Sequence, residues 1–108
     1  YQMYQRWEKH NNKLIINLGS NTSDGIKKHV WPYAAAKAAT DKACEQLSYL
    51  KDGPKVCNLR FGYIDFPHIN KIAPNEKKIS VVTALNSIQY VIDTFNSGNT
   101  VRELTVIP

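Results

Sequence analysis

A tyrosine and a lysine lie four residues apart in the stretch WPYAAAKAA, residues 31–39. Proline suits the first turn of a helix and alanine is a strong helix former, so Tyr33 and Lys37 are predicted to share one helical face. A phenol with a pKa of about 10 is a poor acid or base at neutral pH, and a nearby ammonium stabilises the phenolate. The pair therefore has the composition of a proton-transfer site. Taken alone, the spacing is explained more simply by an ordinary amphipathic helix.

A serine that could bind a substrate oxygen precedes this helix. Ser20 follows the apolar run Leu14–Leu18 and lies thirteen residues before Tyr33. In doubly wound sheets, ligands bind beyond the carboxyl ends of the strands. A hydroxyl there could hydrogen-bond a carbonyl or alcohol oxygen while Tyr33 donates or removes the proton. Taken alone, a serine at the end of a strand is usually a cap or turn former.

Apolar periodicity places these residues on alternating helices and strands. The pattern predicts helices over 1–10, 31–50 and from the capping Ser80 to about 96, and strands over 14–18, 55–61 and 101–107. The first strand reads as buried on both faces, Gly53 as the C-cap of the long helix, and 68–78 as a polar loop. This order predicts an α/β fold with right-handed crossovers and a three-stranded parallel sheet covered on both faces.

Composition restricts the classes of partner. The 108 residues correspond to one domain, 1–108, with a net charge of +5 spread over scattered lysines. That charge fits solvation or an anionic ligand such as a dinucleotide phosphate, and indicates neither nucleic-acid binding nor a membrane partner. Cys44 and Cys57 do not form a C-x-x-C motif and are predicted to be reduced core residues, which fits a cytoplasmic location. No metal site is predicted.

Together these residues resemble the short-chain dehydrogenase/reductase family over nearly all of the chain. Ser20, after an Ile-Ile-Asn strand, is similar to the family's catalytic serine, and Tyr33 with Lys37 is similar to its active-site motif. Gly62 and Ile64 follow the second strand and resemble the turn that approaches the nicotinamide. The last helix and the closing strand resemble the family's C-terminal elements.

The resemblance implies an oxidoreductase that uses NAD or NADP and a small carbonyl or alcohol substrate. Tyr33 would be the general acid/base, and Ser20 would hold the substrate oxygen. Lys37 would bind the nicotinamide ribose and lower the pKa of Tyr33. Tyr33, Lys37, Gly62 and Ile64 would contact the cofactor. The fold would be part of a doubly wound, Rossmann-like domain, and a homo-oligomer is expected because family members commonly dimerise.

The chain departs from the family pattern in several places. The glycine-rich turn of the dinucleotide-binding half is absent, and the family's catalytic asparagine would fall upstream of Tyr1. We therefore expect this chain to be the C-terminal catalytic portion, marginally stable or aggregation-prone alone, with Leu14–Leu18 and Val56–Phe61 as its exposed strands. Phe61 stands where proline is usual and Phe66 where a threonine commonly contacts the carboxamide. Residues 67–78 are short for a substrate lid.

Two other functions remain open. A truncated or divergent relative could keep the scaffold and dimerise without catalysis. A sugar-nucleotide epimerase or dehydratase shares the tyrosine and lysine, but its usual longer C-terminal substrate domain has no counterpart here, so this reading ranks last. A glycine-rich turn in upstream coding sequence would favour the oxidoreductase.

Overall fold

Helices and strands alternate along the chain in the computed structural model, which describes residues 1–21 and 31–108. The elements are α1 (Gln2–Arg6), β1 (Leu14–Ser20), α2 (Trp31–Ser48), β2 (Lys55–Phe61), α3 (Pro67–Ile72), α4 (Val81–Asn96) and β3 (Glu103–Val106). The part of the predicted loop after β1 that covers 22–25 lies outside the described residues.

The three strands form one parallel sheet in the order β1-β2-β3, as predicted. Leu14 of β1 is in register with Lys55 of β2, and Ser20 with Phe61, so β1 and β2 end at the same level. Each parallel connection requires a crossover, and α2 and α4 supply the helices for the two crossovers. The α/β class with an all-parallel sheet is therefore confirmed.

The central strand β2 separates two layers of packing. Six of its seven residues are buried, because neighbouring strands flank it on both sides. The prediction that Val56–Phe61 is an exposed strand is therefore wrong. On one face Cys57, Leu59 and Phe61 pack with Ala84 and Val91 of α4. On the other face, Val56 packs with Tyr4 of α1 and Cys44 of α2. The alternation of side chains along a strand thus divides the core into an α4 side and an α1/α2 side.

The prediction that the first strand is buried on both faces is wrong. Most residues of β1 are only half-buried, and Leu18 is 54% exposed. Among the described residues, β1 is an edge strand with β2 as its one neighbour. The strand also continues beyond its predicted end at Leu18 to Ser20, because Gly19 and Ser20 stay paired with β2.

Several element boundaries differ from the prediction. The polar loop contains the short helix α3, which begins at Pro67, a residue suited to the first turn. Helix α2 ends at Ser48, so Gly53, with φ +94°, lies in the turn that enters β2 and does not cap the helix. The remaining shifts are shortenings: α1 ends at Arg6, and β3 spans Glu103–Val106.

Helix α4 begins as its sequence predicts. The hydroxyl of Ser80 accepts a hydrogen bond from the backbone N–H of Thr83 at 3.1 Å, which satisfies one of the free donors of the first turn. Ala84 and Val91 are buried against the sheet, whereas Val82 and Leu85 are exposed. Helix α4 therefore covers the sheet with a narrower apolar stripe than its composition predicts.

Candidate active site

The candidate serine lies at the carboxyl edge of the sheet. Ser20 is the last residue of β1 and is half-buried opposite Phe61, the last residue of β2. Gly62 follows, and its backbone N–H donates to the carbonyl of Val106 on β3 at 3.0 Å. A Cβ built on Gly62 would lie 3.3 Å from Cδ of Pro108 and 3.7 Å from Nδ2 of Asn21. Ser20 and Gly62 thus share the edge where parallel α/β sheets bind ligands.

The predicted tyrosine–lysine pair forms on the first two turns of α2. The Lys37 ammonium lies over the Tyr33 ring, with Nζ 5.6 Å from the ring centroid. This is the range in which a cation is attracted to the negative face of an aromatic ring. Tyr33 is 51% exposed and Lys37 is half-buried, so the phenol can reach a bound molecule. The prediction that the two side chains share one helical face is confirmed.

The connection between the strands places this pair at the same end of the molecule as Ser20. The chain leaves β1 at the carboxyl edge, runs back along α2 and enters β2 at the opposite edge. The first turn of α2, which carries Tyr33, therefore lies toward the carboxyl edge. The structure pairs Tyr33 with Lys37 through a direct contact. Strand register places Ser20 level with Phe61, the residue before Gly62, and the direction of the chain points the first turn of α2 toward that edge.

Ile64 lies just beyond this edge in a parallel bridge with Ile79. The bridge uses the carbonyl of Tyr63, which accepts from Ile79 at 2.7 Å, and the N–H of Asp65, which donates to Ile79 at 2.9 Å. Because the bridge uses neither backbone group of Ile64, the Ile64 N–H is not engaged by it. The bridge holds Ile64, two residues after Gly62, beside Ile79.

The two aromatic departures from the family pattern have different surroundings. Phe61 ends β2 at this edge, but its side chain is 6% exposed and packs in the core on the α4 side, so it supports the sheet. Phe66 is partly exposed and stacks on the His68 ring, with 5.8 Å between the ring centroids. A phenyl ring offers no hydrogen bond to a carboxamide, so any such contact has to come from the backbone.

A polar cluster that the sequence did not reveal lies between α2 and the sheet. Asn58 is 2% exposed; its Oδ1 accepts from Nδ2 of Asn17 at 2.9 Å, and its Nδ2 donates to Oδ1 of Asp41 at 2.7 Å. Nε of Arg60 lies 3.4 Å from Oδ2 of Asp41. Nη1 of Arg60 donates a hydrogen bond to the hydroxyl of Thr105 at 3.1 Å. The cluster joins α2 to all three strands.

Close packing at Gly19 completes the cluster. A Cβ built on Gly19 would lie 2.9 Å from Oδ1 of Asn58 and 3.2 Å from Cγ of Arg60. Any side chain at this position would displace the amide or the arginine. A sequence signal for the cluster existed: the polar residues Asn58 and Arg60 alternate with the apolar Cys57, Leu59 and Phe61. That alternation predicts one polar face on β2.

Both thiols lie in the core, as predicted, and neither is in a disulfide. Burial raises the pKa of Cys57 to about 11, with a smaller contribution from Cys44. Burial, followed by the charge of Asp41, also raises the pKa of Cys44. Thiolates are the reactive form of cysteine, so both side chains are poor nucleophiles near neutral pH.

An apolar groove lies away from the candidate residues. It runs between α1 and α2 over the edge strand β1, and its lining includes Met3, Ile15, Cys44, Leu47 and Val56. None of the three proposed catalytic side chains lines it. Within the described ranges 1–21 and 31–108, no group of three or more histidine, cysteine or acidic side chains is arranged to hold a metal ion, and no helix is long and apolar enough to span a bilayer.

No protein-family model matches the chain, and no curated protein matches it. Its function therefore has to be inferred from the geometry of these residues.

Proposed function

We propose that this chain is the catalytic part of a short-chain dehydrogenase/reductase that uses NAD or NADP to interconvert a small carbonyl compound and its alcohol. The observation that supports the proposal most strongly is the contact between the Lys37 ammonium and the Tyr33 ring, on the helix that follows a strand ending in Ser20. A partly exposed phenol beside a cation can transfer protons in a substrate pocket.

In the reductive direction, the chain's own residues handle the substrate oxygen and its proton. The Ser20 hydroxyl donates a hydrogen bond to the carbonyl oxygen and holds it within reach of Tyr33. The Tyr33 hydroxyl gives its proton to that oxygen as the carbon–oxygen double bond becomes a single bond. The Lys37 ammonium stabilises the resulting phenolate, which regains a proton from solvent. The oxidative direction reverses each transfer.

The residues at the carboxyl edge fit a nicotinamide cofactor. Lys37 can donate to the ribose hydroxyls, Gly62 has no side chain to block a close approach, and the Ile64 N–H can donate to the carboxamide. When bound, the dinucleotide supplies or accepts the hydride at the substrate carbon. The diphosphate and adenosine would be held by a dinucleotide-binding half outside this chain.

The test is cofactor binding and turnover by the complete protein. Calorimetry with NAD(H) and NADP(H) measures cofactor binding. Turnover is measured as the loss of absorbance of the reduced nicotinamide in the presence of a panel of aldehydes and ketones. We expect Tyr33→Phe to lower kcat by at least about 100-fold while cofactor binding persists. Tyr90→Phe is the matched control, because Tyr90 is a similarly exposed helical tyrosine on α4. Equal activity of the two variants would refute the assignment.

A second proposal, a dimerising scaffold without catalysis, is favoured by the exposed apolar groove between α1 and α2. If the complete protein binds neither cofactor, this function becomes the better one. Sedimentation would then show a dimer that Leu47→Glu dissociates, whereas the same substitution at the exposed Leu85 on α4 would leave it intact.

A further inference from the structure

The spacing of charges on α2 creates a competition for Lys37. Tyr33, Lys37 and Asp41 follow one another at intervals of four residues, so all three lie along one side of the helix. A lysine and an aspartate four apart attract each other on a helix surface. If Asp41 captured the ammonium, Lys37 would turn away from Tyr33 and toward the next turn of the helix.

The structure resolves this competition through the sheet. Asp41 accepts from Asn58 through one oxygen and pairs with Arg60 through the other, at 2.7 Å and 3.4 Å. The side chains of Arg60 and Asp41 are 8% and 20% exposed, so water screens the pair only weakly. Lys37 lies over the Tyr33 ring. Lys37 and Asp41 therefore have separate contacts, Lys37 with Tyr33 on α2 and Asp41 with Asn58 and Arg60 on β2.

We propose that Arg60 is a positioning residue, which holds the Asp41 carboxylate on the sheet and so leaves the Lys37 ammonium to Tyr33. This inference rests on the proposed oxidoreductase function. Arg60 touches neither Tyr33 nor Lys37 in the described contacts and acts through Asp41. Arg60 also donates through Nη1 to Glu103 and Thr105 on β3, which helps to fix the guanidinium on the sheet.

The consequence for catalysis follows from geometry. Tyr33 lies eight residues before Asp41, about 12 Å along the helix axis. The polar cluster around Asp41 therefore acts on Tyr33 from a distance, through Lys37. Removing the Arg60 charge takes one cationic partner from the half-buried Asp41 carboxylate, which lies one turn from the Lys37 ammonium on the same helical face. Lys37 then pairs with Asp41, and both the phenolate and the ribose lose their cationic partner.

The decisive experiment is charge rescue in the complete protein. Arg60→Met is expected to lower kcat by about 10- to 100-fold, as displacement of a catalytic group by about 1 Å commonly does, and to raise the cofactor KM. Adding Asp41→Asn removes the competing charge and should restore at least half of the lost activity on a logarithmic scale. Glu103→Gln is the matched control, because it removes the other carboxylate next to Arg60, and its kcat should stay within about twofold of wild type.

A structural role alone predicts the opposite order. If the cluster only holds α2 on the sheet, the double variant loses more contacts than Arg60→Met and is at least as slow. That result, or an Arg60→Met variant as active as Glu103→Gln, overturns the inference. If Tyr33→Phe abolishes turnover and rescue fails, the inference alone is wrong. Turnover that is absent, or insensitive to Tyr33→Phe, refutes the proposed function and the inference with it.

A second readout follows Lys37 directly and needs neither cofactor nor turnover. The Tyr33 ring shifts the NMR signals of the lysine carbon next to Nζ, and Lys37→Arg assigns that signal in isotope-labelled protein. Arg60→Met should abolish the ring-induced shift, and addition of Asp41→Asn should restore it. A signal that keeps its shift in Arg60→Met would show that Asp41 does not capture Lys37, which overturns the inference.

Discussion

Replacing Asn58 by alanine is expected to lower the free energy of unfolding by about 2–4 kcal/mol. The side chain is 2% exposed, accepts from Asn17 at 2.9 Å and donates to the Asp41 carboxylate at 2.7 Å. A hydrogen bond to a charged group contributes about 1.5–3 kcal/mol and a neutral one about 0.5–1.5 kcal/mol. The loss of unfolding free energy is at the upper end of this range if Asn17 and Asp41 stay buried in the variant, because neither side chain then regains full hydration.

An exposed copy of the same interaction provides the control. Nδ2 of Asn70 donates to Oδ1 of Asp65 at 2.8 Å, with the chemistry and length of the Asn58–Asp41 bond but in contact with water. Asn70→Ala should change the free energy of unfolding by less than about 0.5 kcal/mol. Urea unfolding followed by circular dichroism gives both values from the midpoint and slope.

The comparison sets a buried amide–carboxylate bond against an exposed one, and Asn58 also loses its bond with Asn17. If Asn58→Ala lowers the free energy of unfolding by no more than Asn70→Ala does, the buried cluster exchanges its hydrogen bonds for hydrogen bonds with water at no cost. The reasoning that it fixes α2 on the sheet would then fail. A change in the urea slope in either variant would instead report a change in the surface exposed on unfolding.

Two further predictions concern the backbone and the thiols. Gly53 and Gly98 both have φ +94°, but a Cβ on Gly53 would lie 2.8 Å from the carbonyl oxygen of Glu8 whereas one on Gly98 meets open space. Gly98→Ala should therefore cost about 1 kcal/mol in thermal unfolding and Gly53→Ala clearly more, and equal losses would show that the contact is relieved without cost. The raised pKa of Cys57, about 11 against an ordinary value of 9.0, means that the unfolded thiol loses its proton first as the pH rises. The contribution of the Cys57 thiol to the free energy of unfolding is complete below about pH 9 and declines toward about pH 11. Between about pH 8 and about pH 10 the urea midpoint should therefore fall less in Cys57→Ala than in wild type. A parallel decline in both proteins would contradict the linkage.

Local signals in the sequence determined the order of the elements and the spacing of the candidate residues. The proline and alanines after Trp31 specify α2, and a helical period of 3.6 then places Lys37 beside Tyr33 without help from the rest of the chain. Ser80 specifies the start of α4 in the same way. The three short strands and the helices that connect them in sequence were sufficient to predict the parallel topology.

Contacts between distant segments decided what surrounds these residues. Asn58 and Arg60 give β2 a polar face that would suit solvent, yet α2 covers it, because Asp41 supplies the matching carboxylate from 17 residues earlier. No local propensity encodes that match, since it depends on how α2 is rotated and how far it is shifted along the sheet. The burial of β1 was decided in the same way, by the number of strands beside it. Propensity and periodicity act within a few residues, whereas burial and charge pairing are properties of the packed molecule.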